Sequence, residues 1–211
     1  LKRLVGTKNG LDRLPKLNRD AQLMEPAAID TLLPRDAVHQ GIAAQFEPLA
    51  PVAIEYVIAS GATRVAVLDQ VSDPHNLGAI YRSAAAFGFT ALVLQTRNAP
   101  PITGIVAKAA VGAIETVEEC RVVNIARALD ALNEAGFHTI GLAGEGTGLI
   151  EQAVTGASKV AIVLGAEGSG LRPGVAKACA ELARIPIASE MESLNVSNAA
   201  AIAFYEASRR N

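Results

Sequence analysis

The chain has 211 residues, half of them hydrophobic and 19% charged, with a net charge of −2. That is room for one substantial domain with an appendage, and it excludes the disordered and fibrous classes, because so apolar a chain can bury a real core. Aromatic residues make up 4% and Trp is absent, so the core is expected to be aliphatic, and the near-neutral balance argues against a protein that coats nucleic acid through a broad basic face.

Two cysteines, Cys120 and Cys179, are too few for a disulfide scaffold and read as reduced, buried thiols of a cytoplasmic protein. No stretch reaches about 18 consecutive uncharged apolar residues, so no membrane span is expected. Residue 1 is Leu and no leader pattern follows it, so the natural start is expected upstream.

Composition divides the chain near residue 60. The first part is charge-balanced and interrupted by Pro15, Pro26, Pro34, Pro48 and Pro51, which reads as a small irregular segment and a linker. From Arg64 onward, strands and helices are expected to alternate. Val65–Leu68 reads as a strand ending at Asp69, with a helix from about Leu77 to Phe87. Ala91–Leu94 is the next strand, Ile102–Val111 the next helix, and Ile125–Ala135 a further helix stopped by Gly136. Strands follow at Thr139–Leu142 and Val160–Leu164. Arg184–Ile187 reads as a last short strand before a long Ala-rich helix. Continuous apolar strands separated by helices predict an α/β fold, a parallel sheet with helices on both faces and ligands at the carboxyl ends of its strands.

Three loops follow strands and are rich in glycine or helix-starting residues. Gly144-Glu145-Gly146-Thr147-Gly148 lacks the third glycine of a dinucleotide fingerprint, and Gly165-Ala166-Glu167-Gly168-Ser169-Gly170-Leu171 lacks the Lys-Ser/Thr ending of a P-loop. In Asp73-Pro74-His75-Asn76, Asp73 reads as an N-cap with proline at the first helical position. Asn76 and Arg82, six residues apart, lie about 120° apart on an ideal helix. His75 is a candidate proton acceptor, although a lone loop histidine is more often simply exposed. Ser193-Leu194-Asn195-Val196-Ser197-Asn198 places four small polar residues around a helix start, and one cap explains only one of them. The helix that follows, with Ala200, Ile202, Phe204 and Ala207, is apolar nearly all round and is expected to be covered by a second subunit.

Asp73 to Ala84 resembles the first motif of the SpoU (TrmH-like) RNA 2′-O-ribose methyltransferases of the SPOUT class. Leu164–Leu171 is similar to their second motif, and Ile185-Pro186-Ile187 through Ser197 to their third, with Ile187 where Met is usual and Ser189 where Gly is usual. Leu33–Ala43 resembles the end of the L30e-like RNA-binding domain of the ribosomal-RNA guanosine branch, with His39 structural or marking the linker register. The implied organisation is a partial L30e-like α/β segment over residues 1–50, a linker and first helix over 51–63, and a methyltransferase domain over 64–211 with a C-terminal trefoil knot.

The resemblance implies an S-adenosylmethionine-dependent enzyme that methylates a ribose 2′-hydroxyl of structured RNA, ribosomal RNA before transfer RNA. A knotted RNA-binding protein without turnover is the reading from another class. Carried over by motif, the donor-binding residues are Gly165, Ile185, Ile187 and Leu194. The catalytic set is Asn76, Arg82, Glu167, Ser193 and Asn195. Arg82 would clamp a phosphate and polarise the hydroxyl, because a guanidinium does not readily give up its proton to act as a base. Glu167 would anchor its loop and Arg82. A homodimer through the C-terminal helix is implied, with no metal.

Overall fold

The computed structural model describes residues 1–15, 20–35, 37–188, 191 and 193–209. Ser189, one of the two departures in the third motif, lies outside the described residues, as does Asp36 within the Leu33–Ala43 segment. The chain divides into two compact units, Leu1–Leu49 and Ala50–Asn211.

The first unit is built on a three-stranded sheet. Strand β1 (Arg3–Gly6) leads to helix α1 (Lys8–Leu11), strand β2 (Gln22–Leu23), helix α2 (Pro26–Asp30) and strand β3 (Ile42–Gln45), in the sheet order β2-β1-β3. Leu4, Val5 and Ile29 are buried, so the proline-broken segment forms a small core that its pattern did not suggest. His39 is structural: its Nδ1 accepts the Gly41 amide at 2.9 Å and its Nε2 lies 3.1 Å from Asp30. It thereby fixes the turn in which Gln40 and Gly41 take positive φ.

The second unit opens with helix α3 (Ile54–Ala59). It continues through β4 (Arg64–Leu68), α4 (Pro74–Ala86), β5 (Ala91–Gln95), α5 (Gly104–Ala110), β6 (Glu118–Val122), α6 (Ile125–Glu134), β7 (His138–Leu142), β8 (Gly148–Leu149), α7 (Ile150–Ala153), β9 (Val160–Leu164), α8 (Pro173–Ala178), β10 (Glu181–Arg184) and α9 (Val196–Ser208). The sheet order is β6-β5-β4-β9-β7-β10-β8, and every pairing is parallel. Alternate side chains of the central strands serve two cores. Ala66, Leu68, Leu92, Leu94, Ile162 and Leu164 pack on one face against α4, α5, α7 and α9. Val65, Val67, Val93, Ala161 and Val163 pack on the other against α3, α6 and α8. That double coverage explains why these strands read as continuous apolar runs.

Two expectations need correction, and one strand was not expected. The last strand runs over Glu181–Arg184, and Ile185–Ile187 leave the sheet. Pro186 has no N–H to continue the ladder. Strand β6 reads EECRV, with too many charges to show as a strand, because it sits at the sheet edge. The closing helix also needs no partner for much of its apolar surface. Val196, Ala200, Ala203, Phe204 and Ala207 are buried within the chain itself, and the Phe204 ring lies 4.1 Å from that of Phe89. Only Ile202 and Tyr205 remain as exposed large apolar residues on this helix, at 38% and 47%.

Candidate active site

The strand order reverses at β4, which has β5 on one side and β9, made nearly a hundred residues later, on the other. Loops leaving neighbouring strands in opposite directions open a crevice at the carboxyl ends of the sheet, where ligands of such folds sit. The loop after β4 enters α4. Asp73 caps that helix by accepting the His75 amide at 2.9 Å, and Pro74 opens it, so the helix begins three residues before the apolar pattern does. Gly78 is required on this helix. A Cβ there would lie 2.5 Å from the Ala109 Cβ and 2.8 Å from the Val106 carbonyl, so only glycine lets α4 and α5 come this close.

The loop after β9 turns back on itself. Ala166 and Gly170 exchange main-chain hydrogen bonds of 3.1 and 2.9 Å. Gly165 lies against the returning strand of this loop, where a Cβ would be 2.2 Å from the Gly170 carbonyl carbon. This tight turn presents Glu167 towards the start of α9.

There the three motifs meet. Glu167 Oε1 accepts from Asn76 Nδ2 at 3.2 Å, from Asn195 Nδ2 at 2.6 Å and from the Val196 amide at 3.4 Å. Asn195 Nδ2 also donates to Asn76 Oδ1 at 3.0 Å. Asn195 Oδ1 accepts from the Ser197 amide and hydroxyl at 2.9 and 2.6 Å, which makes it the N-cap of α9. The Glu167 carboxylate therefore stands at a helix N-terminus, where the amides and the helix dipole favour negative charge. Asn76 is 7% exposed; its amide is spent orienting this network.

Beside the network lies a cleft of about 320 Å³. Gly165, Ile185, Ile187 and Leu194 line it, as do Glu167, Ser193 and the Leu142–Glu145 segment. All four expected donor-binding residues thus share one cavity, and Asn76, Glu167 and Asn195 share one hydrogen-bonded cluster at its side. Arg82 joins neither. It is exposed on α4 and makes no hydrogen bond or ion pair among the described residues, and it stands about 9 Å further along the helix axis than Asn76. The expected anchoring of Arg82 by Glu167 is not seen, because Glu167 is engaged by Asn76, Asn195 and Val196. His75 is exposed beside the network.

The sequence reading passed over one pair of residues. Asp69, fully buried at the end of β4, accepts from the Arg172 amide at 3.0 Å, from Nε at 2.8 Å and from the second guanidinium nitrogen at 2.6 Å. The available signal was an acidic residue closing an apolar strand. The cysteines carry no chemistry here. Cys120 is buried and Cys179 partly so. Burial pushes the Cys120 thiol up to about 11; burial, with the charge of Asp69, pushes Cys179 up to about 12. Both are protonated near neutral pH and poor nucleophiles. Among the described residues no three His, Cys, Asp or Glu side chains gather as a metal site, and no helix is long and apolar enough to cross a membrane.

Comparison with known proteins shows the family and the fold. Residues 63–205 match the model of the SpoU rRNA Methylase family. The chain is 40% identical over 205 residues to the 23S rRNA (guanosine-2′-O-)-methyltransferase RlmB of Vibrio cholerae, covering 95% of this chain and 82% of that protein. It is 42% identical over 179 residues to the RlmB of Vibrio vulnificus, covering 82% and 72%. Among solved structures, a TrmH-family protein from Porphyromonas gingivalis superposes with a TM-score of 0.75 at 26% identity over 99% of this chain and 82% of that one. The SpoU methyltransferase AviRb from Streptomyces viridochromogenes, solved with AdoMet, shares the fold with a TM-score of 0.80 at 22% identity, covering 98% of this chain and 82% of its own. With three motifs converging on one cleft and the family model spanning most of the chain, this protein belongs to the SpoU rRNA methylase family.

Proposed function

We propose that this protein transfers a methyl group from S-adenosylmethionine to a ribose 2′-hydroxyl of structured RNA, with ribosomal RNA as the substrate class and the cytoplasm as the place of action. The observation that carries the reading is the convergence of Asn76, Glu167 and Asn195, one from each motif, at the side of a cleft walled by Gly165, Ile185, Ile187 and Leu194. The names of the Vibrio relatives support the choice of RNA.

The cleft suits the donor. Adenine needs an apolar slot with main-chain groups to read its edge. Ile185, Ile187 and Leu194 supply the walls, and the missing side chain at Gly165 brings the loop backbone within reach. The donor supplies an electrophilic methyl carbon on a sulfonium centre. The protein must align a weakly nucleophilic hydroxyl, help it shed its proton and stabilise charge on its oxygen. Ser193 and Asn195 orient the acceptor, and Asn76 and Glu167 hold Asn195 in place. Arg82, free on the surface of α4, grips a phosphate beside the acceptor and polarises the hydroxyl, whose proton leaves to a phosphate oxygen or water. The trefoil knot, the L30e-like character of residues 1–50, the linker over 51–63 and the catalytic domain over 64–211 belong to the same proposal and rest on the order of the motifs.

Incubation with labelled donor and total RNA, followed by mapping of the alkali-resistant linkage, tests the function. Label confined to transfer RNA would move the substrate class. Donor binding without any RNA product would leave a non-catalytic RNA-binding protein.

Two further expectations arise here. Deleting residues 1–49 should weaken RNA binding and leave donor affinity intact, and the salt dependence of RNA binding should stay shallow because few phosphates can be neutralised by so few cations. A deletion that abolishes donor binding would make the segment part of the catalytic unit. The proposed homodimer rests on Ile202 and Tyr205, one turn apart on the outer face of α9. Sedimentation should give a species twice the 21.8 kDa chain mass, and Ile202→Glu should reduce it to the monomer. Wild-type protein sedimenting at 21.8 kDa would exclude the dimer. Ala203 and Phe204 are unsuitable for this test, being buried inside the chain.

A further inference from the structure

We infer that Asp69 and Arg172 form a positioning clamp that sets the pose of the Gly165–Leu171 loop, and through it both the donor cleft and Glu167. The inference deepens the proposed function and rests on it for the identity of the ligand.

The loop leaves the sheet at Leu164 and must return to begin α8 at Pro173. Its departure is fixed by register, since Leu68 pairs with Leu164 and the Asp69 amide donates to the Leu164 carbonyl at 2.8 Å. Its return is fixed by the side chain of the same residue. The two Asp69 carboxylate oxygens take the Arg172 amide and two nitrogens of the Arg172 guanidinium. The one residue that follows β4 thus holds both ends of the loop, the start by its main chain and the finish by its carboxylate. Between those fixed ends the loop closes on itself through Ala166 and Gly170, and it carries Glu167 at its tip.

A loop so short, pinned at both ends, has few alternative shapes, and two of its tasks depend on having only one. Gly165 must keep its backbone against Gly170 and Leu171, or the cleft wall changes. Glu167 Oε1 must meet three donors on two other segments. Neither Asp69 nor Arg172 lines the cleft, so both are positioning residues. The asymmetry of the pair fits this role. Asp69 is fully buried, while the Arg172 side chain is 41% exposed, so the buried charge is satisfied only while the loop stays seated. A lifted loop would strand a carboxylate in the core.

The test compares the wild type with Arg172→Lys, which keeps the charge and the main-chain donor but loses the planar two-nitrogen grip. Asp69→Asn, which replaces one of the two acceptor oxygens by a donor and so leaves either the Arg172 amide or its guanidinium facing a donor, is the second variant. Hydrogen exchange of the Ala166 and Gly170 amides is followed in the ligand-free protein, with Ala161–Val163 of β9 as the internal reference. S-adenosylmethionine and RNA affinities are measured in parallel. The clamp predicts that Arg172→Lys speeds exchange at Ala166 and Gly170 about tenfold while the β9 amides are unchanged, and weakens donor binding about tenfold with RNA affinity unmoved. Asp69→Asn shifts the same quantities further. Wild-type exchange at Ala166 and Gly170 in folded Arg172→Lys overturns the clamp. A wild type that ignores S-adenosylmethionine overturns the ligand assignment instead, and loop exchange still decides the clamp.

Discussion

Gly165→Ala should weaken S-adenosylmethionine binding about 100-fold, and Gly165→Val should leave none that calorimetry can measure. A Cβ at this position would lie 2.2 Å from the carbonyl carbon of Gly170, 2.4 Å from its oxygen and 2.4 Å from the Leu171 nitrogen. All three are main-chain atoms of a closed turn, so no rotamer change can relieve the contact. The loop must open, and opening it moves the wall of the cleft that the donor would touch. Inserting carbons where there is no space typically costs about 1–3 kcal/mol even when side chains can adjust, and here nothing but backbone is available to adjust. The control is Gly174→Ala on α8, where a Cβ meets nothing within 4 Å; its donor affinity should match the wild type. Full donor binding by Gly165→Ala, with a melting curve like that of the parent, would remove Gly165 from the donor site.

Arg82→Lys should lower methyl transfer about 100-fold or more, on the order of the 3 kcal/mol lost when one donor to a developing negative charge is removed. The structure sharpens this test, because it shows Arg82 exposed and without a hydrogen bond among the described residues. If it were only a solvated helix residue, lysine would serve equally well, since surface substitutions usually stay within about 0.5 kcal/mol. If it grips a phosphate and the hydroxyl together, a lysine cannot reproduce the planar fork. The readout is single-turnover methyl transfer at saturating RNA. Donor affinity should barely move, because Arg82 is not among the residues lining the cleft. Near-normal turnover would end its catalytic assignment and turn attention to His75, exposed next to Asn76.

The central strands were legible because each is buried on both faces, so its apolar run is unbroken, as in Val65–Leu68 and Val160–Leu164. Strand β6 was not, since an edge position lets Glu118, Glu119 and Arg121 into the strand. The short helices α7 and α8 were also missed: six residues or fewer give too little periodicity to register. The loops after strands and the polar excess at Ser193–Asn198 pointed to a crevice, but which residues meet in the candidate site was legible only through motif resemblance. Asn76 is 91 residues from Glu167 and 119 from Asn195, and no local pattern reports contacts at such separations. The Asp69–Arg172 pair was invisible for a related reason. Its meaning depends on β4 lying beside β9, a neighbour relation that the chain order hides.

That long-range assembly bears on how the protein is made. Asn76 and its helix leave the ribosome early, Glu167 follows much later, and Asn195 later still. Until Asn195 has been synthesised, Glu167 lacks the amide that approaches it most closely, and the Asn76–Glu167 pair lacks its third member. Contacts between residues so far apart in the chain must also overcome a large loop-closure entropy, which places them among the slow steps of folding. A nascent chain can therefore form its sheet from β6 to β9 before the Asn76–Glu167–Asn195 network exists, and that network closes only with the docking of α9.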